Sequence, residues 1–211
     1  KRDGRIVVDR FTEALPERQC TFERIYFSRG NDPDIYQERK KLGCNLAPRV
    51  LDLLGGQVSD AVFSFVPNTA ETAYLGLIEE TQRLVREDYV EAVWNHVQQG
   101  TVRREELDRL SMDLIRSERV AHKDQKLRTF ITHDAARRDL VMHIYDIVRD
   151  IVKPTDTLVM LDDSIVRGTT LRESIITILG RLNPRRIIIV SSAPPICYPD
   201  CYGIDMSQLH R

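Results

Sequence analysis

The twelve residues from Val159 to Thr170 constrain the fold of this chain more than any other stretch. An aliphatic run leads into two acids, Asp162 and Asp163, and a short loop with Arg167 and Gly168 then leads to two threonines. Aliphatic runs of this kind are typical of buried strands, and hydroxyl side chains after a glycine are typical of a helix start. The pattern predicts a strand, a loop and a helix, with the loop at the carboxyl end of the strand, where open α/β sheets bind their ligands.

The residue types of this loop predict a site for a sugar phosphate. Backbone amides from Arg167 to Thr170, two hydroxyls and the positive end of the helix would hold a phosphate, and Gly168 allows its close approach. Asp162 and Asp163 could accept hydrogen bonds from vicinal hydroxyls or face a divalent cation. Two adjacent aspartates alone would more often be explained as helix caps. The whole string, which is neither a P-loop nor a dinucleotide fingerprint, favours a ribose 5-phosphate site.

Apolar spacing along the rest of the chain predicts alternating strands and helices. Strands are predicted at 5–11, 21–27, 61–66, 127–131, 157–161 and 186–191, and helices at 34–54, 69–97, 103–121, 135–152 and 170–182. From residue 61 onward this order predicts a mostly parallel central sheet flanked by helices.

Composition excludes several functional classes. The 211 residues include 31 Lys and Arg against 32 Asp and Glu, a net charge of −1, which argues against a nucleic-acid or membrane-surface binder that depends on bulk charge. No apolar run approaches the ~20 residues that cross a bilayer. The four cysteines and five histidines show no metal-site spacing. We therefore expect a cytoplasmic enzyme, and one part of a longer polypeptide.

Four motifs resemble a known enzyme family. Leu161–Thr170 is similar to the phosphoribosyl pyrophosphate fingerprint of type I phosphoribosyltransferases, in the form found in the amidophosphoribosyltransferase family. Cys20–Arg29 resembles that family's entry into its transferase domain, and 128–131 resembles the start of its mobile loop. Ser191–Pro195 and Tyr202–Asp205 resemble the strand and turn beyond the fingerprint. The motifs follow the family's order over most of the chain.

The resemblance implies a type I phosphoribosyltransferase fold, with 1–211 as a single domain and a helical insertion near 79–122. It implies that ammonia displaces pyrophosphate from 5-phosphoribosyl 1-pyrophosphate (PRPP) to give 5-phosphoribosylamine, the first step of de novo purine synthesis. The ammonia would come from glutamine, in a glutaminase domain outside this chain. We expect a homo-oligomer with no nucleic-acid or membrane partner.

The resemblance also implies roles for individual residues. Asp162 and Asp163 would bind the ribose 2- and 3-hydroxyls, with Mg²⁺ nearby, and Arg128 would close over the leaving group. The 5-phosphate would be held by Ser164, Ile165, Val166, Arg167, Gly168, Thr169 and Thr170. The pyrophosphate loop would comprise Pro67, Asn68, Thr69 and Ala70.

Three departures from the family pattern affect these roles. Ala70 stands where the family usually has a serine, and a plain Pro-Asn turn is the alternative interpretation of that loop. The mobile loop lacks its usual basic run, and we interpret Arg137 and Arg138 as an exposed helix face. Cys20 matches an iron-sulfur ligand of some members, but Asp200 stands where the next ligand would fall. The cysteines are therefore expected to be small buried side chains.

Two alternative functions remain open. A phosphoribosyltransferase-type module could bind PRPP and regulate without turnover, although the balanced charge argues against regulation through nucleic acid. A base-salvage transferase would need a hood that stacks a nucleobase, and the sequence offers no candidate for one. The sequence shows no catalytic nucleophile, which is compatible with the ammonia-dependent transferase, because positioning and stabilisation of departing pyrophosphate can supply most of the catalysis.

Overall fold

The computed structural model describes residues 9–14, 16, 21, 23–111, 115–123, 145–165 and 175–195. In chain order these residues form a π-helical turn (Glu23–Phe27), α1 (Pro33–Leu54), β1 (Ala61–Phe65), α2 (Glu71–Gln98), α3 (Arg104–Ser111), β2 (Arg116–Ser117), β3 (Ala121–Lys123), β4 (Tyr145–Ile147), β5 (Thr157–Asp162), α4 (Ile176–Gly180) and β6 (Arg186–Ser191).

The main sheet has four strands in the order β2-β1-β5-β6, and all neighbouring pairs are parallel. β3 and β4 form a separate antiparallel pair. Helices connect the parallel strands, as such strands require. The predicted mostly parallel sheet flanked by helices is confirmed.

Side chains of the main sheet alternate between two cores. On one face, strand residues such as Phe63, Val159 and Ile188 pack with α1 and α2. On the opposite face, their neighbours in sequence, such as Val62 and Met160, pack with α4 and the end of the β3-β4 pair. Because both faces of the sheet are buried, the sequences of β1 and β5 are nearly continuous apolar runs and do not alternate between apolar and polar residues.

Both ends of α1 follow from local sequence. The Asp32 carboxylate accepts hydrogen bonds from the backbone amides of Asp34 and Ile35, which caps the first turn. Gly55 ends the helix in the left-handed region, with φ of 61°, where a residue without Cβ is favoured. The predicted helix end at this glycine is confirmed.

α1 and α2 cross in backbone contact. A Cβ atom on Gly43 would lie 1.7 Å from the carbonyl oxygen of Ala73, and one on Gly76 would lie 1.9 Å from that of Lys40. No side chain larger than hydrogen fits at either position. The two glycines therefore set the distance between the helices and the position of the start of α2.

Four secondary-structure predictions are wrong over the residues that the structure describes. The helix predicted at 103–121 ends at Ser111, and the chain then forms β2 and β3. Of the helix predicted at 135–152, residues 135–144 lie outside the described residues, and residues 145–152 contain β4 instead of a helix. In these two cases strand pairing decides, because β2 hydrogen-bonds with β1 and β3 hydrogen-bonds with β4. The strand predicted at 21–27 is replaced by the π-helical turn, and residues 9–11 form no strand.

Some predictions fall outside the described residues. They are the strand at 127–131, residues 5–8 of the first strand, residues 135–144 of the helix at 135–152 and the beginning of the helix at 170–182. Among the helices of the described residues, none combines the length and apolar composition that a membrane span requires.

Candidate functional site

Asp162 and Asp163 lie at the carboxyl end of β5, as predicted. Asp162 is the last residue of the strand and pairs in register with Ser191 of β6. The Asp163 amide donates to Oδ1 of Asp162 at 2.9 Å, and the Ser164 hydroxyl donates to Oδ1 of Asp163 at 3.3 Å. The two carboxylates and the hydroxyl thus form a contiguous polar cluster at the strand end.

The chain after β6 holds the backbone of this acidic pair. The Ser192 amide donates to the carbonyl oxygen of Asp162 at 3.0 Å, and the Ala193 amide donates to that of Asp163 at 2.8 Å. The Ser192 hydroxyl also donates to the Asp163 carbonyl at 3.1 Å. Since these bonds use main-chain oxygens, they fix the position of the pair without occupying its carboxylates.

The acidic pair concentrates negative charge in a partly buried place. Burial, with a further contribution from the neighbouring Asp163 charge, raises the pKa of Asp162 to about 7. Burial also raises the pKa of Tyr145 on β4, and the charges of Asp162 and Asp163 add to that rise. Perturbed carboxylates at a strand end are typical of ligand sites, where hydroxyl donors or cations compensate the charge.

Arg39 on α1 is a basic side chain near the pair that sequence reasoning missed. Burial lowers its pKa, while the charge of Asp163 opposes that shift. Its Nη2 donates to the carbonyl oxygens of Arg24 and Ser28 at 3.0 and 2.8 Å, so it ties the π-helical turn to α1. A Cβ on Gly30 would lie 3.2 Å from its Nη1. No sequence pattern distinguishes Arg39 from the basic residues beside it.

The predicted pyrophosphate loop lies at the same edge of the sheet. The Val66 amide donates to the Leu161 carbonyl at 2.8 Å, which joins the residue just before the loop to the strand that ends in the acidic pair. Asn68 and Thr69 are exposed, and the peptide bond between Pro67 and Asn68 is cis. The structure therefore brings this loop and the acidic pair together.

Ala70 occupies the N-cap position of α2. It is 1% exposed and makes no side-chain cap hydrogen bond. A serine there would have supplied a hydroxyl, which is a common N-cap group. The first turn of α2 thus presents amides that no N-cap side chain satisfies.

Magnesium fits the acidic pair. No group of three or more His, Cys, Asp or Glu in the described residues could hold a metal ion without other ligands. Mg²⁺ is nevertheless commonly held by one or two carboxylates together with substrate phosphates and waters. Asp162 and Asp163 supply these carboxylates, and a bound cation would oppose the burial and the Asp163 charge that raise the pKa of Asp162.

Other predicted site residues lie outside the described residues. They are Arg128 and the loop residues Val166, Arg167, Gly168, Thr169 and Thr170. Ile165 is described and exposed. Of the cysteines, Cys44 is described, and its thiol donates to the carbonyl oxygen of Gly76 at 3.4 Å. Burial raises the pKa of this thiol, as expected for a packing residue.

Comparison with known proteins supports the sequence motifs. No protein-family model matches the chain. Its sequence is 30% identical over 204 residues to the amidophosphoribosyltransferase of Bacillus subtilis, a match that covers 94% of this chain and 35% of the relative. The enzyme of Pseudomonas aeruginosa is 26% identical over 218 residues, covering 99% of this chain and 36% of that protein. The resemblance to amidophosphoribosyltransferases is confirmed.

A solved structure supports the fold. The chain matches the structure of the allosteric regulatory enzyme of purine biosynthesis with a TM-score of 0.60 and 30% identity, covering 96% of this chain and 36% of that one. The predicted type I phosphoribosyltransferase fold is confirmed by this match. The chain spans about a third of the length of the amidophosphoribosyltransferases that it matches.

Proposed function

We propose that this chain is the phosphoribosyltransferase domain of an amidophosphoribosyltransferase. It takes PRPP and ammonia and produces 5-phosphoribosylamine and pyrophosphate, the first step of purine synthesis, in the cytoplasm and as a homo-oligomer. The ammonia comes from glutamine, in a glutaminase domain outside this chain. One observation carries the proposal: the acidic pair and the loop at 67–70 share one sheet edge in a chain similar throughout to these enzymes.

In this proposal Asp162 and Asp163 bind the ribose. Their carboxylates accept hydrogen bonds from the 2- and 3-hydroxyls, and these bonds compensate the burial and the neighbouring charge that raise the pKa of Asp162. Mg²⁺, bound by the same carboxylates and by substrate oxygens, would supply positive charge to the leaving group. The hydrogen bonds from Ser192 and Ala193 to the main chain of the pair keep the two carboxylates in position.

Two loops hold the two phosphate ends of the substrate. Residues 164–170 cradle the 5-phosphate through backbone amides and hydroxyls. Residues 67–70 contact the pyrophosphate, aided by the first-turn amides of α2, which lack an N-cap side chain. Arg128 closes over the leaving group. With both ends held, the anomeric carbon is fixed between them.

The reaction then requires positioning more than covalent help. The nitrogen lone pair of ammonia forms the new bond to C1, while the bond from C1 to the pyrophosphate oxygen breaks and its electron pair leaves with pyrophosphate. The new ammonium group loses one proton to solvent. Fixing the donor and stabilising the departing charge can supply most of the rate acceleration.

The experiment follows pyrophosphate release from PRPP by the chain. Ammonium chloride, glutamine, and a panel of purine and pyrimidine bases serve as separate nitrogen donors. We expect turnover with ammonium that rises toward high pH, since only unprotonated ammonia attacks. Glutamine should give none with this chain alone, because the glutaminase domain lies outside it.

A second candidate function is a module that binds PRPP without turnover. The buried Ala70 favours it, because the pyrophosphate loop lacks the hydroxyl that a serine would supply. Tight PRPP binding with no pyrophosphate release from any nitrogen donor would support this function over the transferase. Turnover with a nucleobase but none with ammonium would support base salvage instead.

A further inference from the structure

Arg119 lies on the segment after β2, which runs along β1. Parallel pairing of β2 with β1 sets the direction of this segment. The Glu118 amide donates to the carbonyl oxygen of Phe63 at 2.9 Å, and the Val120 amide donates to Oγ of Ser64 at 3.0 Å. The segment therefore follows β1 toward its carboxyl end, the sheet edge that holds the candidate site.

The guanidinium of Arg119 lies over an aromatic ring at that edge. Its Cζ atom is 5.6 Å from the ring centroid of Phe65, the last residue of β1. Phe65 is 5% exposed, and its ring centroid is 4.8 Å from that of Tyr74, so the ring is held in the core. A guanidinium that stacks on a ring is oriented by it, while the N–H groups at its rim stay able to bind oxygen atoms.

The contact with Phe65 places Arg119 near the start of the predicted pyrophosphate loop. Phe65 is separated from Pro67 by one residue, Val66, whose amide is bonded to the end of β5. Residues 67–70 contain no basic side chain, and the acidic pair adds negative charge nearby. Arg119 is exposed, and among the described residues its guanidinium makes its contact with the Phe65 ring and no ion pair or hydrogen bond.

We propose that Arg119 binds the pyrophosphate group of the sugar substrate. The inference rests on the proposed function and adds a cationic residue to its site, at a loop that otherwise offers amides and hydroxyls. An arginine fork suits this role because it can donate two parallel hydrogen bonds to phosphate oxygens. Stacking on Phe65 orients the fork before the substrate arrives.

The test measures the binding of two ligands separately by calorimetry. Inorganic pyrophosphate and ribose 5-phosphate are each titrated, with Mg²⁺ present, into the full chain and into Arg119→Gln and Arg119→Lys. The matched control is Arg49→Gln, which removes an exposed arginine on the C-terminal half of α1. Far-ultraviolet circular dichroism confirms that each variant is folded.

We expect Arg119→Gln to lower the affinity for pyrophosphate by about tenfold or more, since charge-assisted hydrogen bonds are lost. The affinity for ribose 5-phosphate should stay within about twofold, because that ligand occupies the other half of the site. Arg119→Lys should lie between wild type and Arg119→Gln, since lysine keeps the charge but not the fork. Arg49→Gln should match wild type for both ligands.

Three results would overturn the inference. Unchanged pyrophosphate affinity in Arg119→Gln, with normal wild-type binding, would remove Arg119 from the site and leave the proposed function intact. An equal loss for both ligands would mean that the substitution disturbs the sheet edge as a whole. If the wild-type chain binds neither ligand, the proposed function fails and this inference fails with it.

Discussion

Two aspartates at opposite ends of β5 have opposite electrostatic surroundings. Asp156 lies just before the strand, with its side chain 3% exposed. Its carboxylate accepts hydrogen bonds from Nη1 of Arg116 at 2.8 Å and from the Lys153 amide at 2.7 Å. Burial acts to raise its pKa, but these hydrogen bonds outweigh burial, and the pKa lies below its ordinary value.

Asp162, at the other end, is also partly buried, but its nearest charged neighbour is another acid. Burial, to which the Asp163 charge adds, raises its pKa to about 7. A buried acid that is paired with an arginine is satisfied by the fold itself. A buried acid beside a second acid has no such partner in the fold, and a ligand that donates hydrogen bonds or carries positive charge satisfies it better. The two ends of one strand thus separate an acid that stabilises the fold from acids that serve the site.

The largest expected effect is that of Asp156→Asn on stability. The substitution leaves Arg116 without its carboxylate partner, and we expect the free energy of unfolding to fall by about 3 kcal/mol. This is the lower end of the range for breaking a buried pair, because the Arg116 side chain is 30% exposed. Urea unfolding at neutral pH measures it.

Two controls accompany Asp156→Asn. Asp52→Asn removes an exposed acid that lies 4.0 Å from Arg49, and it should change the free energy of unfolding by no more than about 0.5 kcal/mol. The folded Asp156→Asn protein should bind ribose 5-phosphate like wild type. Equal stability losses for Asp156→Asn and Asp52→Asn would contradict the structural role of the first.

Asp163→Asn should weaken ligand binding and leave stability intact, which is the reverse of the effect expected for Asp156→Asn. Loss of a charged acceptor for a ribose hydroxyl is worth roughly 1.5 to 3 kcal/mol, which lowers PRPP affinity by about 10- to 150-fold. Stability should be unchanged or higher, because the substitution removes one of two adjacent negative charges. Calorimetric titration with PRPP measures the affinity, with Asp60→Asn as an exposed control at the other sheet edge. Wild-type affinity in Asp163→Asn would exclude this acid from the site.

The pH dependence of stability should distinguish the two ends further. The pKa of Asp162 is raised from 3.8 to about 7, so between these pH values the folded state binds a proton that the unfolded state does not. Its contribution to stability therefore falls as pH rises through this window, by at most about 1.4 kcal/mol per pH unit. Asp156, with a lowered pKa, contributes stability above pH 3.8 and loses it as pH falls through its folded pKa.

The measurement is urea unfolding of wild type and Asp162→Asn from pH 4 to 8 with a chelator present. The difference between the two proteins cancels the titration of other groups. Asp162→Asn should gain stability over wild type as pH rises. A difference that is independent of pH would mean that the Asp162 carboxyl keeps its ordinary pKa in the folded state.

The parallel sheet and the acidic pair could be predicted because their signals are local. The bounds of β6 agree with the predicted strand, and α1 ends at the predicted glycine. Asp162 and Asp163 directly follow an apolar run, so their place at a strand end follows from the order of residues alone. The 67–70 loop lies at the same sheet edge as the acidic pair because the two strands that precede them are parallel.

The remaining features depend on partners distant in sequence. Residues 116–117 form a strand because they pair with β1, more than fifty residues earlier, although their own spacing favours a helix. Gly43 lies inside a helix, where glycine alone predicts only a loss of helical stability, and its role requires the carbonyl of Ala73 on another helix. Arg116 and Asp156 likewise give no sign in the sequence that they form an ion pair.

The smallest expected effect is that of Arg116→Lys, which separates charge from geometry in the ion pair between Arg116 and Asp156. Lysine keeps a cation beside Asp156, but it cannot also reproduce the bond from Nη2 of Arg116 to the Ile151 carbonyl at 3.0 Å. We expect the free energy of unfolding to fall by about 1 kcal/mol, the value of one hydrogen bond, in urea unfolding at neutral pH. Arg116→Met removes the charge as well, so its loss should approach that of Asp156→Asn. If lysine and methionine are equally destabilising, the arginine acts through its hydrogen-bond geometry rather than its charge, and the contrast with Asp162 would then not be one of charge compensation.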